Sequence, residues 1–131
     1  RHQPLVFVFG RADFTVSFYG ANIYPENIAV GLQQQAIQQW LSGKFVLETD
    51  EDAQGNKYLK IAVELLPSTT ADDDKSEQIA SCIKQQLLRL NSEFKHYVPT
   101  ERQLPQINLH AFADPDYFPL GVKHRYTRNQ H

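Results

Sequence analysis

The chain has 131 residues, 41% of them hydrophobic, with eight Phe, six Tyr and one Trp, so it is long enough for one domain with its own core and too short for two. Its formal net charge of −2 and pI near 6.2 lack the basic excess that a nucleic-acid footprint requires. No run of 18 apolar residues suggests a membrane span, and the single cysteine, Cys82, excludes an internal disulfide and fits a reducing cytoplasm.

Leu5 to Phe9 and Phe14 to Tyr19 are two apolar, β-branched and aromatic runs separated by Gly10-Arg11-Ala12-Asp13. This pattern predicts a leading hairpin or two consecutive strands. Pro25 and Glu26 suit the first turn of a helix. Ile28, Leu32, Ile37, Trp40 and Leu41 recur at helical spacing, which predicts a helix from Pro25 to Ser42 stopped by Gly43. Phe45–Thr49 and Tyr58–Leu66 alternate around Asp52-Ala53-Gln54-Gly55-Asn56, the clearest hairpin in the chain. Asp74 or Ser76 is positioned to cap a second helix, with Ile79, Ile83, Leu87, Leu90 and Phe94 as its apolar stripe. A last strand alternates from Gln106 to Phe112.

With Phe14–Tyr19 as first strand, the order is βαββαβ. That predicts an α+β fold, ferredoxin-like in topology: an antiparallel sheet with two helices on one face, preceded by a short hairpin. Residues 1–131 form one domain, divided into a leading strand and hinge (1–13), the βαββαβ core (14–112) and a C-terminal loop (113–131). The chain has no methionine and begins Arg1-His2-Gln3, so it is expected to be a piece of a longer protein.

Function must come from the loops, since this topology serves many chemistries. Gly10-Arg11-x-Asp13, six residues, then Gly20-x-Asn22-x-x-Pro25-x-x-Ile28 resembles the segment that opens the C-terminal domain of the adenylate-forming superfamily. Gly20-Ala21-Asn22-Ile23-Tyr24-Pro25-Glu26-Asn27-Ile28 is most similar to the phenylacetate-CoA ligase branch. The resemblance implies a mobile lid of an ATP-dependent, AMP-forming carboxylate-CoA ligase. Its partner would be the N-terminal adenylation domain of the same chain. The substrate would be a carboxylic acid, aryl by this branch, with ATP, Mg2+ and CoA used by the full-length enzyme and none held by this domain alone.

The resemblance also assigns roles. Asp13 falls at the hinge, where a small φ/ψ change reorients the lid. Arg11 falls beside the nucleotide, a contact suited to a planar, permanently charged guanidinium. Gly20 and Ala21 fall on the loop that lines the CoA channel, where glycine permits close approach. Lys123, in Gly121-Val122-Lys123-His124-Arg125, is the candidate catalytic lysine that steadies developing charge during adenylation. The five histidines show no metal-like spacing, so no metal site is assigned. The expected surroundings are cytoplasmic, without nucleic acid or membrane.

The principal alternative is a non-catalytic ferredoxin-like domain that binds a small molecule or regulates. The polar face of Leu59–Leu65, formed by Lys60, Ala62 and Glu64, lacks the exposed aromatics of an RNA-binding sheet. A third reading is a standalone protein that retained the lid fold and lost catalysis.

Overall fold

The computed structural model describes residues 7–8 and 15–118. Six strands and three α-helices follow in order: β1 (Phe7–Val8), β2 (Val16–Phe18), β3 (Ala21–Ile23), α1 (Pro25–Leu32), β4 (Leu41–Glu51), β5 (Lys57–Leu65), α2 (Asp73–Leu90), α3 (Ser92–Tyr97) and β6 (Gln106–His110). The class is α+β, as the sequence predicts.

The pairing differs in detail from that expectation. Strand β1 pairs antiparallel with β4 rather than in a leading hairpin, and the strand expected at 14–19 is present as β2, with Phe18 in the core, but pairs with β3 in a separate two-stranded sheet. The main sheet runs β1-β4-β5-β6 and is mixed rather than antiparallel, because β6 lies parallel to β5 with Ile61 opposite Ile107 and Glu64 opposite His110. The chain from β5 to β6 passes through α2 and α3, and a long crossover of this kind is what allows parallel neighbours.

Helix α1 is half the predicted length. It begins with Pro25 at its first turn and stops at Leu32, where Gln34 Nε2 returns to the Val30 carbonyl at 2.8 Å. The helical spacing of Ile37, Trp40 and Leu41 continues past this point, but the ladder wins: Leu41 pairs with Leu65 as the first residue of β4. Gly43 is therefore not a helix stop. At φ +100 it lies where the register shifts between Leu41 and Phe45, the irregularity of a β-bulge.

The β4–β5 hairpin is closed as expected. Asp52 Oδ1 accepts from the N–H groups of Gln54 and Asn56, both at 2.9 Å, and Gly55 takes φ +84. Helix α2 is capped by neither Asp74 nor Ser76 but by Asp72, whose Oδ1 accepts from the Lys75 N–H at 2.8 Å. Ile79, Ile83 and Leu87 form its buried stripe, while Leu90 is exposed and Phe94 belongs to α3.

Alternation sets the two faces of the main sheet. Phe45, Leu47, Leu59, Ile61, Val63, Leu65 and Ile107 point to one side, where Ile28 and Leu32 of α1 and Ile79, Ile83 and Leu87 of α2 close the core. Gly31 is where the helices meet: a Cβ there would sit 3.0 Å from Ile83 Cα. On the other side, Val46 and Ala62 are covered by the fully buried Phe118. No described helix is long and apolar enough to cross a membrane.

Candidate functional site

The β2–β3 turn is the part of the resembling motif that falls within the described residues. Its last ladder pair is Phe18 with Ala21, so Tyr19 and Gly20 alone make the turn. Both have positive φ, 54° at Tyr19 and 84° at Gly20, the signature of a type I′ hairpin turn. Glycine adopts this region freely, but a tyrosine there costs roughly 1 kcal/mol. The sequence thus puts a strained aromatic where Asn, Asp or Gly is usual.

The turn is held from below by α3. Asn91, itself buried, is the N-cap of that helix, and its Oδ1 accepts from the Phe94 N–H at 2.9 Å. Its amide Nδ2 donates to the Asn22 carbonyl at 2.8 Å and to Asn27 Oδ1 at 3.1 Å. Two residues further, Glu93 Oε1 accepts from the Asn22 N–H at 2.9 Å. Asn22 and Asn27 of the Gly-x-Asn-x-x-Pro segment are thereby bonded to residues about 70 positions away. Tyr97, four residues after Glu93 on the same face of α3, comes beside Gly20: a Cβ on Gly20 would lie 3.8 Å from Tyr97 Cδ2. Tyr97 is 57% exposed and Tyr19 37%, whereas Ala21 is fully buried and can offer only its backbone. Tyr19 leans edge-on against Phe18, with centroids 4.9 Å apart, and its hydroxyl donates to the Lys57 carbonyl at 3.3 Å.

A second polar group occupies the sheet face away from the helices. Lys60 lies 3.9 Å from Glu48 and 3.4 Å from Asp50. Partial burial would lower its pKa, but the attraction of Glu48 and Asp50 outweighs this and raises it. His110 Nδ1 bonds Asp114 Oδ2 at 2.7 Å, and its ring stacks at 4.4 Å on Tyr117. The His110 hydrogen bond is the main reason that the Asp114 carboxyl is held below its ordinary pKa. Glu64, opposite His110, is 2% exposed. Its Oε2 accepts from the N–H of Ala113, a residue at φ +62, while Oε1 is buried with no hydrogen-bond partner among the described residues. A shallow cleft of about 410 Å3 beside β6 is lined by Lys60, Asp72, Ser76, Asn108, His110 and Tyr117. Among the described residues no three His, Cys, Asp or Glu side chains are grouped to hold a metal ion.

Of the residues predicted from the sequence, Gly20 stands at the exposed tip of the anchored turn and Ala21 in the core beneath it. Arg11, Asp13 and Lys123 lie outside the described residues. Tyr97, Asn91 and Glu93 were not found by reading the sequence, because their relation to the turn is entirely long-range. The His110–Asp114 pair had a local signal, a histidine four residues before an aspartate across the end of a strand.

No protein-family model and no curated protein matches the sequence. Among solved structures, an acyl-CoA synthetase from Brucella canis is similar over 78% of this chain, at 21% identity and a TM-score of 0.50. A domain of phenylacetate-coenzyme A ligase from Bacteroides vulgatus ATCC 8482 aligns over 88% of this chain and 89% of its own, at 20% identity and a TM-score of 0.49. The chain spans only 16% of the Brucella canis chain. It therefore shares the fold of a domain-sized part of an acyl-CoA synthetase.

Proposed function

We propose that the chain is the C-terminal lid domain of an AMP-forming carboxylate-CoA ligase of the phenylacetate-CoA ligase type, working with an N-terminal adenylation domain of the same polypeptide. The observation that carries this reading is the Tyr19–Gly20 turn. The Gly-x-Asn-x-x-Pro segment that resembles the superfamily forms a rigid, exposed hairpin tip, on a fold shared with part of an acyl-CoA synthetase. A lid must present backbone and a few side chains to a site built elsewhere, and a preorganised tip does so without further ordering.

In this reading, ATP and the acid react in the N-terminal domain to give an acyl-adenylate and pyrophosphate. Lys123 steadies the carboxylate and phosphate oxygens as charge builds between them. Arg11 contacts the nucleotide, and rotation about Asp13 exchanges Lys123 for the Gly20–Ala21 turn, which then borders the path of the CoA thiol. The thiol attacks the acyl carbon, the thioester forms and AMP leaves. The isolated domain lacks the acid pocket and the phosphate loop, so it is inactive alone, and the setting is cytoplasmic.

The test is Lys123→Ala in the full-length ligase. Loss of one preorganised charge stabiliser should slow acid-dependent pyrophosphate release roughly 100- to 1000-fold. Thioester formation from a supplied acyl-adenylate should continue. An unchanged pyrophosphate rate removes the adenylation role of Lys123.

A further inference from the structure

We propose that Phe118 is a positioning residue for Lys123: it is the buried peg of a strap, residues 110–118, that fixes the point from which the chain runs on to the adenylating lysine. This inference rests on the ligase reading above and deepens its lysine role with residues that the loop motif does not contain.

The strap is fastened at several points. Beyond β6 it passes under the sheet face away from the helices, where Phe118 is fully buried against Val46 and Ala62. The Asp114 carbonyl accepts from the Tyr117 and Phe118 N–H groups, at 3.3 and 2.7 Å, and Asp114 Oδ1 accepts from the Asp116 N–H at 2.8 Å. His110 bonds the other oxygen of Asp114, stacks on Tyr117 and meets Phe118 edge-on at 6.0 Å. Glu64 holds the Ala113 N–H at 2.7 Å, with Ala113 kept at a left-handed φ of 62°. The second Glu64 oxygen is buried without a partner, an arrangement that lowers stability. Local cost of this kind is tolerated where position matters more than stability.

Distance along the chain gives the strap its meaning. Lys123 follows Phe118 by five residues and follows His110, the last residue of β6, by thirteen. Five residues reach at most about 18 Å from a fixed point. The effective concentration of a tethered group falls roughly as the −3/2 power of tether length. Seating Phe118 therefore raises the local concentration of the ammonium about fourfold over a chain released at the end of β6, before any gain from orientation. A lysine that acts as a preorganised charge depends on such a fixed origin.

The experiment measures two rates in the full-length ligase: acid-dependent pyrophosphate release, and thioester formation from a supplied acyl-adenylate. Phe118→Ala should slow pyrophosphate release about fourfold or more. Thioester formation, which does not use Lys123, should stay at the wild-type rate and so report a folded domain. Phe118→Leu, still an apolar peg, should restore most of the loss. In a Lys123→Ala background Phe118→Ala should cause no further loss, because both act through one ammonium. Inserting eight glycine and serine residues between Leu120 and Gly121 lengthens the tether to thirteen with Phe118 intact, and should give the same fall. That insertion leaves the described core untouched, so it carries the test even where Phe118→Ala fails to fold. Equal losses in both rates would mark Phe118 as a cover for Val46 and Ala62 alone and overturn the inference. A further loss in the Lys123→Ala background, or an insertion without effect on pyrophosphate release, would also overturn it. These outcomes leave the ligase reading intact, whereas absence of any acid-dependent pyrophosphate release in wild type would remove that reading and this inference together.

Discussion

Replacing Asn91 with alanine tests how the turn is held. The side chain is 5% exposed and makes three hydrogen bonds: the N-cap of α3 and two donations that fasten the Gly20–Pro25 segment. An N-cap contributes about 1 kcal/mol, and each further buried hydrogen bond about 1 kcal/mol, with unsatisfied partners adding to the loss. Asn91→Ala should therefore destabilise the domain by about 3 kcal/mol. Unfolding entropy near 2.1 cal/mol/K per residue gives about 0.28 kcal/mol/K for 131 residues, so Tm should fall by about 11 °C. Asn91→Ser separates the contributions: serine still caps Phe94 but cannot reach Asn22 and Asn27, so it should recover about a third of the loss. Urea and thermal unfolding of the three proteins measure this, with hydrogen exchange at Asn22 reporting the turn locally. A loss below about 1 kcal/mol for alanine, or a serine variant equal to wild type, would refute the anchoring role.

Gly20→Ala should cost about 1 kcal/mol through the left-handed backbone alone, because among the described residues the new methyl meets only Tyr97 at an ordinary 3.8 Å; an unchanged urea midpoint would contradict this. Gly31→Ala gains up to about 1 kcal/mol of helix propensity but drives a methyl to 3.0 Å from the Ile83 backbone, and overpacking of about 1–3 kcal/mol should leave it destabilised by about 1 kcal/mol. A stabilised variant would show that α1 and α2 move apart freely. Asp114 has a folded pKa below its unfolded value near 4, so its contribution is present above that value and lost as pH falls through the depressed folded pKa. Wild type should accordingly exceed Asp114→Asn in urea midpoint at pH 7, and the gap should narrow below about pH 4; a gap constant from pH 7 to 2.5 would exclude the His110–Asp114 bond as its source.

The α+β class, the β4–β5 hairpin and the position of α2 were legible because each has a local cause: alternation, a turn closed by Asp52, and an apolar stripe at helical spacing. Errors arose where a local pattern met a tertiary competitor. Trp40 and Leu41 continue the helical spacing of α1, yet pairing of Leu41 with Leu65 draws them toward the sheet. Phe94 continues the stripe of α2, but Asn91 breaks the helix and caps a new one. Glu64 reads as an exposed strand residue from alternation alone, and the 111–118 segment buries it through the Ala113 N–H. Gly20 was readable as a turn residue because a positive φ constrains residue type. Tyr97 was not, since nothing local records that it lies beside a turn 77 positions earlier.

Under the proposed function, the domain serves an acid-activating ligase. Its most direct test is pyrophosphate release by the full-length protein with ATP, Mg2+ and a panel of aryl and aliphatic acids, with and without CoA. The expected result is release that depends on one class of acid, aryl first, with CoA consumed to a thioester and AMP produced in equal amount. Folded full-length protein that releases no pyrophosphate with any acid would contradict it and return the domain to a regulatory or small-molecule-binding role.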